Sequence, residues 1–475
     1  MLAFSVNKNS SALVQSRSRI KLIRNIFLLI FAISIGYSIY YISQALPVLT
    51  GFGAKHLCSC HFVAERTEQS VLSTELARYP YRLADYQIDS EEQSASSSIF
   101  GVAARKAIYR PGAGCVLLVN DAALPEVTQL QHLTAQTTSG YTIPENTDSL
   151  NAVDYTQLQS ALDWSFAEPD PEQLKNTKAV VVVYDDTLVT EGYASDFSAQ
   201  TRMPGWSMTK SIINAMVGIS VRQSDIDINK PAPVPAWQKE DDPRQNISWD
   251  DLLRMSSGLA WDETYFGVSD VTRMLYLSED MAEVAINQPL EEEPGEEWYY
   301  SSGTTNILSS LLRQHWGDEA YYALPYQQLF RPLGMTSVVM ETDLSGTFVG
   351  SSYMMATARD WAKFGLLYYH DGVWQGKRIL PEGWVNYTTK PVEDAPFRKY
   401  GAQFWLNAGE RNRPDQREFP DVPTELFFAE GFDGQSVFVL PDHKLVIVRL
   451  GVTARGNFDK NYFLREVIKA FPSKN

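Results

Sequence analysis

Residues 205–219 read Gly-Trp-Ser-Met-Thr-Lys-Ser-Ile-Ile-Asn-Ala-Met-Val-Gly-Ile, with Ser207 and Lys210 three positions apart at the head of an apolar run. The apolar residues recur at helical spacing, so the run predicts a helix beginning near Ser207. Residues three apart share a helix face, which puts the Lys210 amine within reach of the Ser207 hydroxyl. A lysine desolvated on such a face can lose its proton near neutral pH and take the proton of a serine. The Ser-x-x-Lys pattern alone is cheap. Ser5–Lys8 and Ser18–Lys21 match it too, and a serine at a helix start is also a common cap. Its setting separates this copy from the others: only Ser207 opens an apolar helix, after the turn Met203-Pro-Gly-Trp206.

Working outward, residues 179–184 (Ala-Val-Val-Val-Val-Tyr) predict a buried strand, and 187–194 its hairpin partner. Residues 436–440 and 444–450 flank Pro441-Asp-His443 as strand, turn and strand, and 459–471 close as an amphipathic helix. Strands at both ends of a largely helical segment predict an α+β fold, an antiparallel sheet flanked by helices with a mostly helical subdomain.

Two further segments carry chemistry. In residues 294–303, Pro-Gly-Glu-Glu-Trp-Tyr-Tyr-Ser-Ser-Gly, a turn delivers Tyr300 just before an apolar helix, and a tyrosine beside a lysine can shuttle protons. Residues 428–432, Phe-Ala-Glu-Gly-Phe, read as a terminal strand able to offer a backbone N–H to a developing oxyanion. The six histidines form no His-Glu-x-x-His helix. The chain has no Gly-x-Ser-x-Gly elbow, Walker loop or dinucleotide fingerprint.

The order and neighbours of these segments resemble the serine hydrolases related to class C β-lactamases, which include penicillin-binding carboxypeptidases, family VIII carboxylesterases and 6-aminohexanoate-dimer hydrolase. The resemblance covers roughly 156–475. It is carried by Gly-Trp-Ser-Met-Thr-Lys-Ser at 205–211, Leu-Leu-Arg-Met-Ser-Ser-Gly-Leu at 252–259, the Pro-Gly…Tyr-Ser-Ser stretch at 294–302, Ala-Thr-Ala-Arg-Asp-Trp-Ala-Lys-Phe-Gly at 356–365 and Glu-Gly-Phe-Asp-Gly-Gln at 430–435. It implies a β-lactamase/transpeptidase-like fold, Ser207 as the acylated nucleophile, Lys210 as its base, and Tyr300, five residues after Gly295, as the tyrosine of the Tyr-x-Asn motif. The oxyanion would lie between the backbone N–H groups of Ser207 and Phe432.

Two positions depart from the family pattern. Ser302 stands where the motif has Asn, and Ala429-Glu430-Gly431 stands where the β-lactamases have Lys-Thr-Gly. A missing cation and an added acid predict poor action on β-lactams and a preference for neutral or cationic esters or amides. The acidic residues Glu291, Glu292, Glu293, Glu296 and Glu297 point the same way, although such a run is ordinarily a solvated loop. Ser302, Glu430, Gly431 and Tyr265, the last in Trp261-Asp-Glu-Thr-Tyr265, are candidates for the substrate cleft. Arg359-Asp360 reads as structural pairing. No metal or organic cofactor is implied. The rival readings are a silent module that binds an envelope component and a D-Ala-type cell-wall peptidase. The missing cation weakens the peptidase, whose substrates end in a carboxylate.

The N-terminus sets the location. Residues 25–42 carry no charge, and the apolar run continues to Leu46 with Tyr37, Tyr40 and Tyr41 at its exit end. That length crosses a bilayer core of about 20 residues. Arg17, Arg19, Lys21 and Arg24 precede it and the next basic residue is Lys55, so the positive-inside rule predicts a cytoplasmic 1–24, a signal anchor at 25–46 and a periplasmic or extracellular remainder. The expected organisation is then a membrane-proximal region 47–132, a polar linker 133–155 and the hydrolase domain 156–475. Cys58, Cys60 and Cys115 all follow the span, where disulfides persist. Cys58 or Cys60 can bridge to Cys115, leaving one thiol. Across all 475 residues, 41 Lys and Arg face 57 Asp and Glu, a charge of −16 that argues against nucleic acid as a partner.

Overall fold

The computed structural model describes residues 9–120, 123–125, 127–135, 141–145, 150, 152–413, 415–454 and 456–472, with side chains from 21 onward. Much of the expected linker, and the first eight residues of the expected cytoplasmic tail, lie outside the described residues.

The architecture is α+β. Six antiparallel strands form the main sheet in the order Trp405–Leu406, Phe427–Gly431, Gln435–Leu440, Leu445–Gly451, Thr177–Tyr184, Thr187–Tyr193. The β-branched run at 180–183 therefore lies inside the sheet, with Val181 opposite Val448 and Val182 opposite Ile447. Period-two alternation splits the strands between two cores. Val180, Val182, Phe428, Phe438 and Ile447 pack under helices Tyr155–Phe166 and Lys460–Ile468. Val181, Ala429, Val437 and Val448 face the larger core with helices Thr209–Gln223 and Ala358–Tyr369. Gly365 lets the latter helix lie close on the sheet, since a Cβ there would sit 2.6 Å from Val446. Arg359 and Asp360 serve the frame separately: Arg359 grips Glu191 at 2.6 and 2.7 Å, and Asp360 holds Lys363 and the Ser337 N–H.

The region before residue 156 does not behave as an appendage. One helix runs from Asn9 to Cys58 through Pro47, with no break where the apolar run ends. Its side chains are exposed over 21–42, and from Val48 onward they enter the core shared with the catalytic segment. A four-stranded antiparallel sheet, Asp85–Asp89, Ser94–Ile99, Val102–Arg110 and Gly114–Leu117, leans on this helix. Cys58 is bonded to Cys115, and Cys60 is a buried free thiol. Between helix and hydrolase core lies a buried polar knot. Lys55 Nζ meets Glu341 at 2.6 Å and Ser59 Oγ at 2.8 Å, and Glu341 also accepts the Cys115 N–H at 2.7 Å.

Candidate active site

Ser207 lies in the single 3-10 turn Trp206–Met208, directly before the helix Thr209–Gln223. Trp206 is held at φ +49°, a left-handed conformation a bulky residue adopts only when its surroundings impose it. Its indole stacks on His56 at 5.5 Å and on Phe52 at 6.1 Å, both from the N-terminal helix. The turn's backbone is also crowded. A Cβ on Gly205 would lie 2.4 Å from Trp361, and one on Gly431 would lie 2.2 Å from the Gly205 carbonyl oxygen. Glycine at these two positions brings the end of strand Phe427–Gly431 against the Ser207 turn, and Phe432 follows at once.

Ser207 caps no helix: neither the 3-10 turn nor the helix after it has a side-chain cap bond. Its Oγ instead accepts from Lys210 Nζ at 3.2 Å. Lys210 is 1% exposed, and its other two donors go to Ser302 Oγ at 3.0 Å and the Ser351 carbonyl at 2.9 Å. All three partners are neutral. Burial lowers the ammonium pKa from its usual range to about 8, and the Glu263 carboxylate pulls the other way. Near pH 7 roughly a tenth of the lysines therefore carry a free amine.

Tyr300 precedes the helix Ser302–Leu324, packed between Trp405 at 5.2 Å and Tyr400 at 5.9 Å, with Lys210 Nζ 5.0 Å from its ring centre. Burial raises its phenol well above the usual range, and the neighbouring Glu263 adds to this. The hydrogen bond with Ser207 draws it partly back. Such a phenol keeps its proton and acts as a donor.

Ser302 joins Lys210 to a carboxylate that the sequence reading did not single out. Ser302 Oγ donates to Glu263 Oε1 at 2.5 Å, and Glu263 also accepts from the Ser302 N–H at 2.8 Å, the Trp261 indole at 2.5 Å and the Tyr265 hydroxyl at 3.0 Å. The only sequence signal was an acid set between two aromatics in Trp-Asp-Glu-Thr-Tyr. Tyr265 itself stacks on Phe432 at 5.9 Å and has its hydroxyl 3.3 Å from Ser302 Oγ, so it borders the site. Phe432 is 36% exposed and also meets Trp206 edge-on at 5.5 Å.

Glu430 lies beside the site with its side chain on the other face of its strand. Strand alternation turns Ala429 toward the core of Trp206 and Met208 and leaves Glu430 on the opposite side, ion-paired with Lys460 of the last helix. Its carboxylate is still near enough to add to the rise of the Tyr300 phenol. Ala429 still supplies no cation. Near Phe432 a guanidinium does appear, from Arg78 in the N-terminal region, with both terminal nitrogens committed to Asp433 at 2.8 and 2.6 Å. Arg78 escaped the sequence reading because nothing local marks it; only the fold brings residues 52–81 to this turn.

The beta-lactamase family profile matches residues 173–466, well over half of the chain. The chain belongs to that family and is a serine hydrolase. Over 310 residues it is 23% identical to the 6-aminohexanoate-dimer hydrolase of Paenarthrobacter ureafaciens, covering 59% of this chain and 75% of that one. A putative 6-aminohexanoate-dimer hydrolase from Bacillus anthracis superposes with a TM-score of 0.55 at 20% identity, over 70% of this chain and 87% of that one. A family VIII carboxylesterase does so with a TM-score of 0.53 at 14% identity, over 68% and 98%. At these identities the two structures show the shared fold.

Proposed function

We propose that this chain is a membrane-anchored hydrolase that cleaves carboxylic esters or amides through an acyl-enzyme on Ser207. The observation that carries the reading is the buried Lys210 amine, 3.2 Å from Ser207 Oγ, with only neutral partners and a pKa of about 8. Neutral Lys210 takes the hydroxyl proton as Ser207 Oγ bonds to the substrate carbonyl carbon. The carbonyl oxygen gathers charge toward the backbone N–H groups of Ser207 and Phe432. As the carbonyl–leaving-group bond breaks, the Tyr300 phenol protonates the leaving alcohol or amine and is reprotonated by the Lys210 ammonium. Water then attacks the acyl-enzyme, gives a proton back through the same pair, and releases the acid and free Ser207.

The substrate is read as neutral or apolar on its acyl side. Trp206, Tyr265 and Phe432 rim the site, Ala429 occupies the position of the β-lactamase cation, and Arg78 is committed to Asp433. The same features support weak action on β-lactams and on peptides ending in a carboxylate. The exposed apolar segment of helix Asn9–Cys58 supports a bilayer anchor, and the basic residues before it support a cytoplasmic N-terminus with the catalytic domain on the far side. The test is labelling with a fluorophosphonate and turnover of short p-nitrophenyl esters, beside Ser207→Ala and Lys210→Ala. Labelling and turnover lost in both variants support the mechanism. No labelling of the folded wild-type chain overturns it in favour of a binding module.

A further inference from the structure

The loop 261–268 connects two places that lie far apart in the chain. At one end, Glu263 and Tyr265 hydrogen-bond to Ser302 beside Lys210. At the other, Gly267 lies against Tyr41 of the N-terminal helix, so closely that a Cβ there would be 2.4 Å from the Tyr41 hydroxyl. Tyr41 is inside the uncharged run that ends near Leu46. Further up, Gly51 of the same helix touches Tyr276. Gly51 is about 15 Å beyond Tyr41 at about 1.5 Å per residue, so the helix Asp270–Leu277 descends alongside and sets loop 264–268 at the level where the apolar run ends. In that loop Phe266 is 88% exposed.

A second element arrives at a similar height. Gly53 faces Ser97, and Thr50 Oγ1 donates to the Ala103 carbonyl at 2.6 Å, so the hairpin Ser94–Ile99/Val102–Arg110 also runs down the helix toward the apolar segment. Its tip, about two strand residues further at about 3.3 Å each, falls near the level of Leu46. There Phe100 is 88% exposed, with Val102 half-exposed behind it. Two bare aromatic rings at the exit of an apolar helix, one beside Tyr41 and one about a turn and a half beyond it, suit a bilayer interface, where aromatic rings are enriched.

We propose that loop 264–268 and the hairpin tip at Phe100 rest in the surface of the bilayer that the helix crosses, so that the Ser207 site takes amphiphilic carboxylic esters held in that same bilayer. This rests on the anchoring and acyl-enzyme readings above. The loop carrying Phe266 into the interface also carries Tyr265 to the rim of the site, so an acyl chain leaving the bilayer meets Tyr265, Phe432 and Trp206 on its way to Ser207. Hydrolysis adds the elements of water across the ester bond, and both products can return to the interface.

The test uses the full chain in phosphatidylcholine vesicles. A Phe266→Cys variant takes a fluorophore at the new thiol, since Cys60 is buried and the other two cysteines are bonded. Quenching by lipids with a nitroxide near the headgroup is expected. Turnover of p-nitrophenyl palmitate dissolved in the vesicles is expected to fall about tenfold or more in Phe100→Ser/Phe266→Ser, each ring giving up roughly the transfer energy of a buried aromatic. Turnover of water-soluble p-nitrophenyl butyrate is expected to stay within about twofold, the rings lying outside the chemistry. An unquenched label, or palmitate turnover unchanged in the double variant, overturns this inference alone. Release of the chain by alkaline wash overturns the anchor and this inference with it. Absence of butyrate turnover in the wild type overturns the hydrolase reading, and again this inference with it.

Discussion

Two buried lysines, Lys210 and Lys55, each donate to a serine on their own stretch of helix and differ in the charges around them. Lys210 reaches Ser207 at 3.2 Å, and Lys55 reaches Ser59 at 2.8 Å. Burial lowers both ammonium groups. Lys55, however, touches the Glu341 carboxylate at 2.6 Å, which opposes that lowering, and Ser59 donates to the same carboxylate at 2.8 Å. Around Lys210 the nearest carboxylate, Glu263, stands one hydroxyl away, behind Ser302. A direct ion pair with a buried carboxylate makes Lys55 a strut. One intervening hydroxyl leaves an amine that can lose its proton and still be reprotonated. The position of a single carboxylate separates a base from a tether.

The strongest way to break this comparison is to exchange the outcomes of the two serines. Ser207→Ala is expected to lose ester turnover by at least about 10⁴-fold and all fluorophosphonate labelling, with an unchanged melting temperature. Lys210→Met should cost about 10³-fold in kcat, since it removes the base and leaves the nucleophile in place; full retention of activity would refute the role. Lys55→Met should leave the pH profile alone and destabilise the fold by about 3–5 kcal/mol, read by urea denaturation, because Glu341 stays buried without its cation.

A pH profile sharpens the contrast. The active form of Lys210 is neutral, so kcat/KM should rise with pH and level off above an apparent pKa of about 8. Glu263 stabilises the ammonium, so Glu263→Gln should move the rising limb to lower pH, by less than about one unit. A shift to higher pH would mean that Glu263 acts otherwise. The smallest effect belongs to Ser59→Ala, where turnover should stay within about twofold while stability falls modestly, by about 1–3 kcal/mol, as the buried Glu341 loses a donor. Loss of activity there would dissolve the distinction between the pairs.

How much of this was legible differs from residue to residue. The strand at 177–184 and the hairpin at 435–451 announce themselves, because a dense β-branched run and a turn between alternating segments are local signals. That Ser207, Lys210 and Tyr300 could meet was legible for the same reason: helix periodicity fixes a three-residue spacing, and a Pro-Gly turn fixes where a helix starts. The side to which Glu430 turns was not legible, because strand alternation separates the two faces but only the sheet's packing decides which face meets the Ser207 turn. The uncharged run at 25–46 was readable as a span, yet nothing in it says that the helix continues to Cys58 and plants His56 and Phe52 on Trp206.

The sequence by itself determined the elements and the candidate reacting groups, since propensity, periodicity and spacing act over a few residues. The tertiary structure alone decided which carboxylate stands near which lysine, which way Glu430 points, that Arg78 stands beside Phe432, and that Gly267 lies against Tyr41. Those relations join segments tens to hundreds of residues apart. They are fixed by burial and close packing, and no local pattern in the chain encodes them.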